Sequence, residues 1–129
     1  MTPEQRRLRR TRLIERVRTV EQRECALAAA DAEAQRARLD AVSAKTRALA
    51  AHYASARDAT DAQSLRRSGA MSSQLRDLSH TAERHAQDAR NHSEASMAAL
   101  AQTERRRKRA EEDYREAAST LREKLAARG

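Results

Sequence analysis

A single internal glycine, Gly69, interrupts a chain that otherwise contains almost nothing able to stop a helix. The only other glycine is the terminal Gly129, and the lone proline, Pro3, stands at the start. On each side of Gly69 lie roughly sixty residues without an internal helix breaker. Glycine after a long helical pattern is the usual left-handed stop, and Arg66 and Arg67 suit the negative end of a helix dipole. Ser72 or Ser73 can then cap a second helix, with Asp77 near its first turn. The pattern predicts an all-α fold, a long antiparallel two-helix coiled-coil hairpin with its turn near Gly69. Helix one is expected over about 3–67, the turn over about 68–71 and helix two over about 72–128, all in one domain. Thr2-Pro3-Glu4-Gln5 opens the first helix: Thr2 caps, Pro3 fits the first helical position, and Gln5 completes a capping box. From Ala54 to Ser64 the amphipathic pattern weakens into Ala, Thr, Ser and Asp, read as helix with a soft face.

Stepping at ~3.6 residues, the apolar stripe of the first half reads Leu13, Val17, Val20, Leu27, Leu39, Val42, Leu49, Tyr53 and Ala56. In the second half it reads Leu75, Leu78, Ala82, Ala86, Ala89, Met97, Leu100, Tyr114, Ala118, Leu121 and Leu125. A hairpin centred on Gly69 would set Leu13 against Leu125, Val17 against Leu121 and Val42 against Met97. It would also bring Asp31 opposite Arg107, either as a register-setting ion pair or as an accident of a long basic run. Cys25 would pack beside Tyr114. The period lies nearer 3.6 than 3.5, which implies slight supercoiling.

Such a seam removes little apolar area. The 129 residues are 39% hydrophobic, much of it alanine, and 36% charged, with no Phe or Trp and a mean hydropathy of −0.98. That is the composition of a long helix or coiled coil and not of a compact core. At ~1.5 Å per residue a rod about 90 Å long is expected, monomeric or weakly dimeric. One cysteine, Cys25, leaves no internal disulfide and suits a reducing cytosol. No apolar run approaches the ~18 residues of a membrane span, and MTPEQRRLRR lacks the apolar region of a signal peptide.

Charge is the most informative functional feature. Residues 1–23 carry eight arginines against three glutamates, 24–100 are balanced, and 101–129 carry nine basic against six acidic groups. A hairpin brings the two basic ends together. The expected partner-binding basic end is Arg6, Arg7, Arg9 and Arg10 with Arg105, Arg106, Arg107, Lys108 and Arg109. It can meet an acidic protein surface or a nucleic-acid backbone, or serve as a solvated helix turn balanced by Glu104, Glu111, Glu112 and Asp113. Stacking on bases needs aromatics, and the only two, Tyr53 and Tyr114, fall on the expected seam. Leu65, Met71 and Leu75 cluster at the expected turn, either sealing the seam or forming a docking tip. His80, His85 and His92 are spaced by five and seven, whereas metal sites on one helix use spacings of three or four. No catalytic or metal-binding residue and no cofactor is expected, and the chain reads as a non-enzyme.

The architecture, with both termini at one basic end, and the run from Thr103 to Ala118 (TERRRKRAEEDYREAA) resemble the stalk proteins of type III export systems. These are the FliJ family of the flagellum and the YscO/HrpO-like proteins of virulence secretion. The resemblance implies a cytoplasmic coiled-coil stalk or adaptor in protein transport, peripheral to the inner membrane through its complex. Its partners would be the hexameric export ATPase, the export gate and secretion chaperones. The basic end would enter the ATPase, and the tip of Leu65, Met71 and Leu75 would face the gate. The alternatives are a generic coiled-coil scaffold or regulatory partner, and a basic helical protein bound to nucleic-acid backbone.

Overall fold

A computed structural model describes residues 1–55 and 61–129 and shows two long α-helices packed against each other as a hairpin. Helix α1 spans Pro3–Ser55 and α2 spans Ala62–Arg128. The start of α1 follows from its first five residues. The Thr2 amide donates to Gln5 Oε1 at 2.9 Å and the Gln5 amide to Thr2 Oγ1 at 3.2 Å, a reciprocal capping box.

The boundary between the helices is not at Gly69. Helix α1 ends at Ser55, and Asp61 caps α2 by accepting the Ser64 amide at 2.6 Å. That bond, with further contacts to the Ser64 hydroxyl and the Gln63 amide, holds the Asp61 carboxyl below its ordinary range. Gly69, Ser72 and Ser73 all lie inside α2, and no described glycine has positive φ. A glycine inside a helix costs about 1 kcal/mol against alanine, which a helix of this length absorbs. An aspartate that accepts a free amide defines an end more strongly. Of the soft helical segment expected over 54–64, Ala54, Ser55 and residues 62–64 are helical, Asp61 is not, and residues 56–60, with Ala56 of the expected stripe, lie outside the described residues.

Packing groups into two units, Asp31–Glu94 and Met1–Ala30 with Ala95–Gly129. In the first, the buried seam is alanine and serine: Ala32, Ser43 and Ala50 from α1, and Ala82, Ala86, Ala89 and Ser93 from α2. In the second it is Ala29, Ala110 and Ala117, extended by half-buried Leu8, Thr11, Glu15, Arg18, Gln22 and Cys25 on α1 and Leu100, Tyr114 and Leu121 on α2. No large side chain is fully buried among the described residues.

These positions alternate steps of three and four, the 3.5-residue repeat of a coiled coil and not the 3.6-residue repeat expected. The buried face of α1 is also not the expected one. Of the expected seam, Leu13, Val17, Val20, Leu27, Val42 and Leu49 are exposed, whereas Leu39 is half-buried on the paired face. Leu78, Met97 and Leu125 on α2 are exposed too, although Leu75, Ala82, Ala86, Ala89, Leu100, Tyr114 and Leu121 do face the partner helix. From Leu13 to Leu27 the large apolar side chains keep that same 3.5-residue repeat on a different face, and only beyond Leu27 does the stripe step across toward the seam. On α1 it therefore lies on the outer face near the N-terminus, where Leu27 is 69% exposed, and reaches 40% at Tyr53.

Register shifts as well. Ser43 meets Glu83 and Glu33 meets Ser93, so facing partners lie about a dozen residues earlier in α2 than a centre at Gly69 requires. Within the unit Asp31–Glu94 a polar network joins the helices: Ser93 to Glu33, Glu33 to Arg36, Arg36 to Asp40, Asp40 to Arg90, Arg90 to Glu83, and Glu83 to Ser43 and Arg47. In the other unit Lys124 pairs with Glu4, Arg7 with Glu116 at 3.8 Å, and Gln22 donates to Glu104 at 3.2 Å.

Candidate functional site

The unit formed by Met1–Ala30 and Ala95–Gly129 carries both arginine clusters. Residues Pro3 to Arg23 are continuous helix, and one Arg7 contact crosses to α2, where Glu116 takes its guanidinium. Arg107 is half-buried between Glu104 and Glu111 of its own helix, both at 3.3 Å, and not paired with Asp31. Arg6, Arg9, Arg10, Arg105, Arg106, Lys108 and Arg109 are exposed and make no ion pair among the described residues. Seven of the nine expected basic-end residues thus present open cations, and two are tied into the fold.

The clusters do not meet end to end. Arg106 and Arg109 line a shallow groove of about 270 Å³ with Ile14, Arg18, Ala110 and Asp113. Arg6, Arg9 and Arg10 line another of about 410 Å³ with Met1, Leu13 and Ile14. Ile14 belongs to both, so the basic surface is continuous across α1 and contains apolar side chains. Leu13, Ile14 and Val17 continue it into a third groove beside Arg18 and Glu21. Leu13 and Val17, expected on the seam, are thus part of the surface, together with Ile14, which the expected stripe leaves out. The signal was there: Leu13, Val17, Val20 and Leu27 keep a strict alternation of four and three once Glu24 is counted between them.

The expected tip is not assembled at the helix boundary. Leu65 lies one turn into α2 and is exposed, Met71 is exposed further along, and Leu75 is half-buried in the seam. Among the described residues no three His, Cys, Asp or Glu side chains converge on a metal position, and Cys25 is half-buried and free. No described helix is long and apolar enough to cross a membrane.

What the surface offers is charge over shallow apolar grooves, which suits recognition of a macromolecular face better than enclosure of a small substrate. Compared with known proteins, the chain matches no family model, no curated protein and no solved structure.

Proposed function

We propose that the chain is a non-enzymatic coiled-coil adaptor that engages an acidic protein surface through the arginine face of the unit Met1–Ala30 and Ala95–Gly129. The observation that carries this reading is the open set of cations, Arg6, Arg9, Arg10, Arg105, Arg106, Lys108 and Arg109, beside exposed leucine and valine. Unpaired cations attract an acidic partner at long range, and adjoining apolar area supplies short-range contact. Few aromatic side chains accompany the arginines: Tyr114 is half-buried in the seam, so base stacking has little support.

The sequence resemblance to type III export stalks supplies the finer reading. On it the chain is the stalk or adaptor of a flagellar or virulence export apparatus, cytoplasmic, and peripheral to the inner membrane through its complex. The acidic partner is the export ATPase, with the export gate and secretion chaperones as further contacts.

Titration of the parent and of an Arg105→Gln, Arg106→Gln, Lys108→Gln, Arg109→Gln variant against the export ATPase, and separately against random duplex DNA, tests both levels. Glutamine keeps helix propensity, and Arg107 is left in its ion pairs. Salt-sensitive ATPase binding that falls in the variant supports the export reading. Loss of DNA binding alone transfers the arginines to nucleic-acid backbone.

A further inference from the structure

Helix α1 carries two coiled-coil seams in its first thirty residues, and only one of them is occupied. The seam paired with α2 is made of Leu8, Thr11, Glu15, Arg18, Gln22 and Cys25, a mostly polar set. The other, Leu13, Val17, Val20 and Leu27, keeps the same repeat with Glu24 as its one polar position, and its apolar side chains are 53%, 55%, 52% and 69% exposed. Polar residues thus fill the buried positions while the better coiled-coil positions face outward, which inverts the usual arrangement.

The flanks of this outward seam have one dominant sign. Arg9, Arg12, Arg16 and Arg23 follow one side of it along α1, and none makes an ion pair among the described residues. On the other side Ile14 borders the groove lined by Arg18, Arg106 and Arg109. Arg6 and Arg10 close the N-terminal end. Glu24 stands in the seam line itself between Val20 and Leu27, and the one acidic flank residue on α1, Glu21, is already held by Arg18 at 3.0 Å.

The geometry points to an acidic amphipathic helix of another protein as the occupant of the Leu13–Leu27 seam, making a three-helix layer with α1 and α2. Its leucine- or isoleucine-type side chains would interdigitate with Leu13, Val17, Val20 and Leu27, and its flanking glutamates would meet the arginine rows. Spacing selects a helix: four apolar residues on a 3.5-residue repeat, with Glu24 at the remaining position, form a narrow line of knobs and holes, whereas a membrane-surface helix presents a broad apolar arc. Charge selects a different protein: a second copy would bring arginine rows against arginine rows. The inference rests on the adaptor reading but not on the export apparatus, and it places recognition on the outward seam in addition to the arginines.

The probe is a labelled three-heptad helical peptide with leucine and isoleucine on its apolar face and glutamate on both flanks. A companion peptide has lysine in place of the glutamates. Fluorescence anisotropy is read against the full chain and its Val17→Ser, Val20→Ser variant, whose changed side chains lie outside the paired seam and whose fold is checked by circular dichroism. The glutamate peptide is expected to bind the parent with strong salt dependence and the variant about tenfold or more weakly, and the lysine peptide to bind neither. Equal binding of both peptides, no binding to the folded parent, or binding unaffected by the double substitution overturns the proposal. So does concentration-dependent dimerisation of the parent that the variant loses, which assigns the seam to a second copy. Phosphatidylserine vesicles that bind the parent, release the variant and outcompete the glutamate peptide assign it to a membrane surface. Loss of ATPase binding in the arginine variant with the peptide result intact separates failure of the export reading from failure of this one.

Discussion

Ser43 on α1 donates its hydroxyl to the Glu83 carboxylate of α2 at 2.7 Å, and the relation is repeated in reverse where Ser93 of α2 donates to Glu33 of α1 at 3.0 Å. Both serines are buried, and both glutamates reach in from the rim. Between the two contacts Arg90 donates to Asp40 at 3.1 Å. At these two serines the seam is narrow, although half-buried Leu39 and Leu75 sit elsewhere along it, and its specificity there comes from small donors paired with acidic acceptors.

Enlarging Ser43 should therefore harm a hairpin whose composition invites leucine. Ser43→Leu is expected to destabilise by about 1–3 kcal/mol through overpacking, although the same change improves many coiled coils. Ser43→Ala should cost less, because Glu83 keeps Arg47 and Arg90 and alanine is the better helix former. Thermal melts of the two variants check the order, and a leucine variant that melts above the parent would refute the narrow seam.

Acid should loosen the same unit. The Arg36 guanidinium and then the Ser93 hydroxyl hold the Glu33 carboxyl down at about 2, and Ser43, Arg90 and Arg47 lower that of Glu83. Because the folded-state values are depressed, the stabilisation is fully present above the ordinary carboxylate range. It is lost as pH falls from about 4.5 toward about 2. Melting temperature is expected to decline across that window, and Glu33→Gln is expected to flatten the decline while lowering the neutral-pH plateau. A parent curve that is level from pH 5 to pH 2 would contradict it.

Gly69→Ala should stabilise. Gly69 is helical, exposed, and has no atom within 4 Å of where a Cβ would stand. Alanine there is expected to add about 0.8–1 kcal/mol and raise the melting temperature. A lowered value would restore Gly69 as the reversal.

Two leucines that look equivalent in the sequence should separate cleanly. Leu100 faces α1 and is half-buried, so Leu100→Ala is expected to cost about 1–2 kcal/mol, below the ~2–5 of a fully buried leucine. Leu49 is exposed, so Leu49→Ala should stay within about 0.5 kcal/mol. Equal losses would mean that both belong to one seam.

The hairpin itself, its N-terminal cap and most of the α2 face were legible. Few breakers, a Thr-Pro-Glu-Gln start and a run such as Ala82, Ala86, Ala89 admit little else. The inner face of α1 was not. Hydrophobic periodicity follows the largest side chains, and here Leu13, Val17 and Val20 are on the outside while Ala29, Ala32 and Ser43 are inside. Gly69 drew attention as a breaker, yet the physical marker of the helix start was Asp61, a cap three residues ahead of Ser64. For the candidate site, charge located the arginines, and the spacing of Glu104, Arg107 and Glu111 on one helix marks Arg107 as tied. Only the register shows Arg7 held by Glu116 across the helices and Arg106 and Arg109 beside Ile14.

An alanine seam is smooth, and a smooth seam can slide. Side chains this small interlock weakly, so a displacement of one heptad leaves the apolar contact nearly unchanged. The polar pairs act as detents against that movement. Slipping α2 by seven residues one way would put Glu83 opposite Asp40, acid against acid, and Ala86 opposite Glu33 in place of Ser93. Slipping the other way would put Met97 opposite Asp40, removing its Arg90 partner. Each displaced state loses a hydrogen-bonded charge pair that the native alignment keeps, so the helices have one resting position along a track that would otherwise permit several.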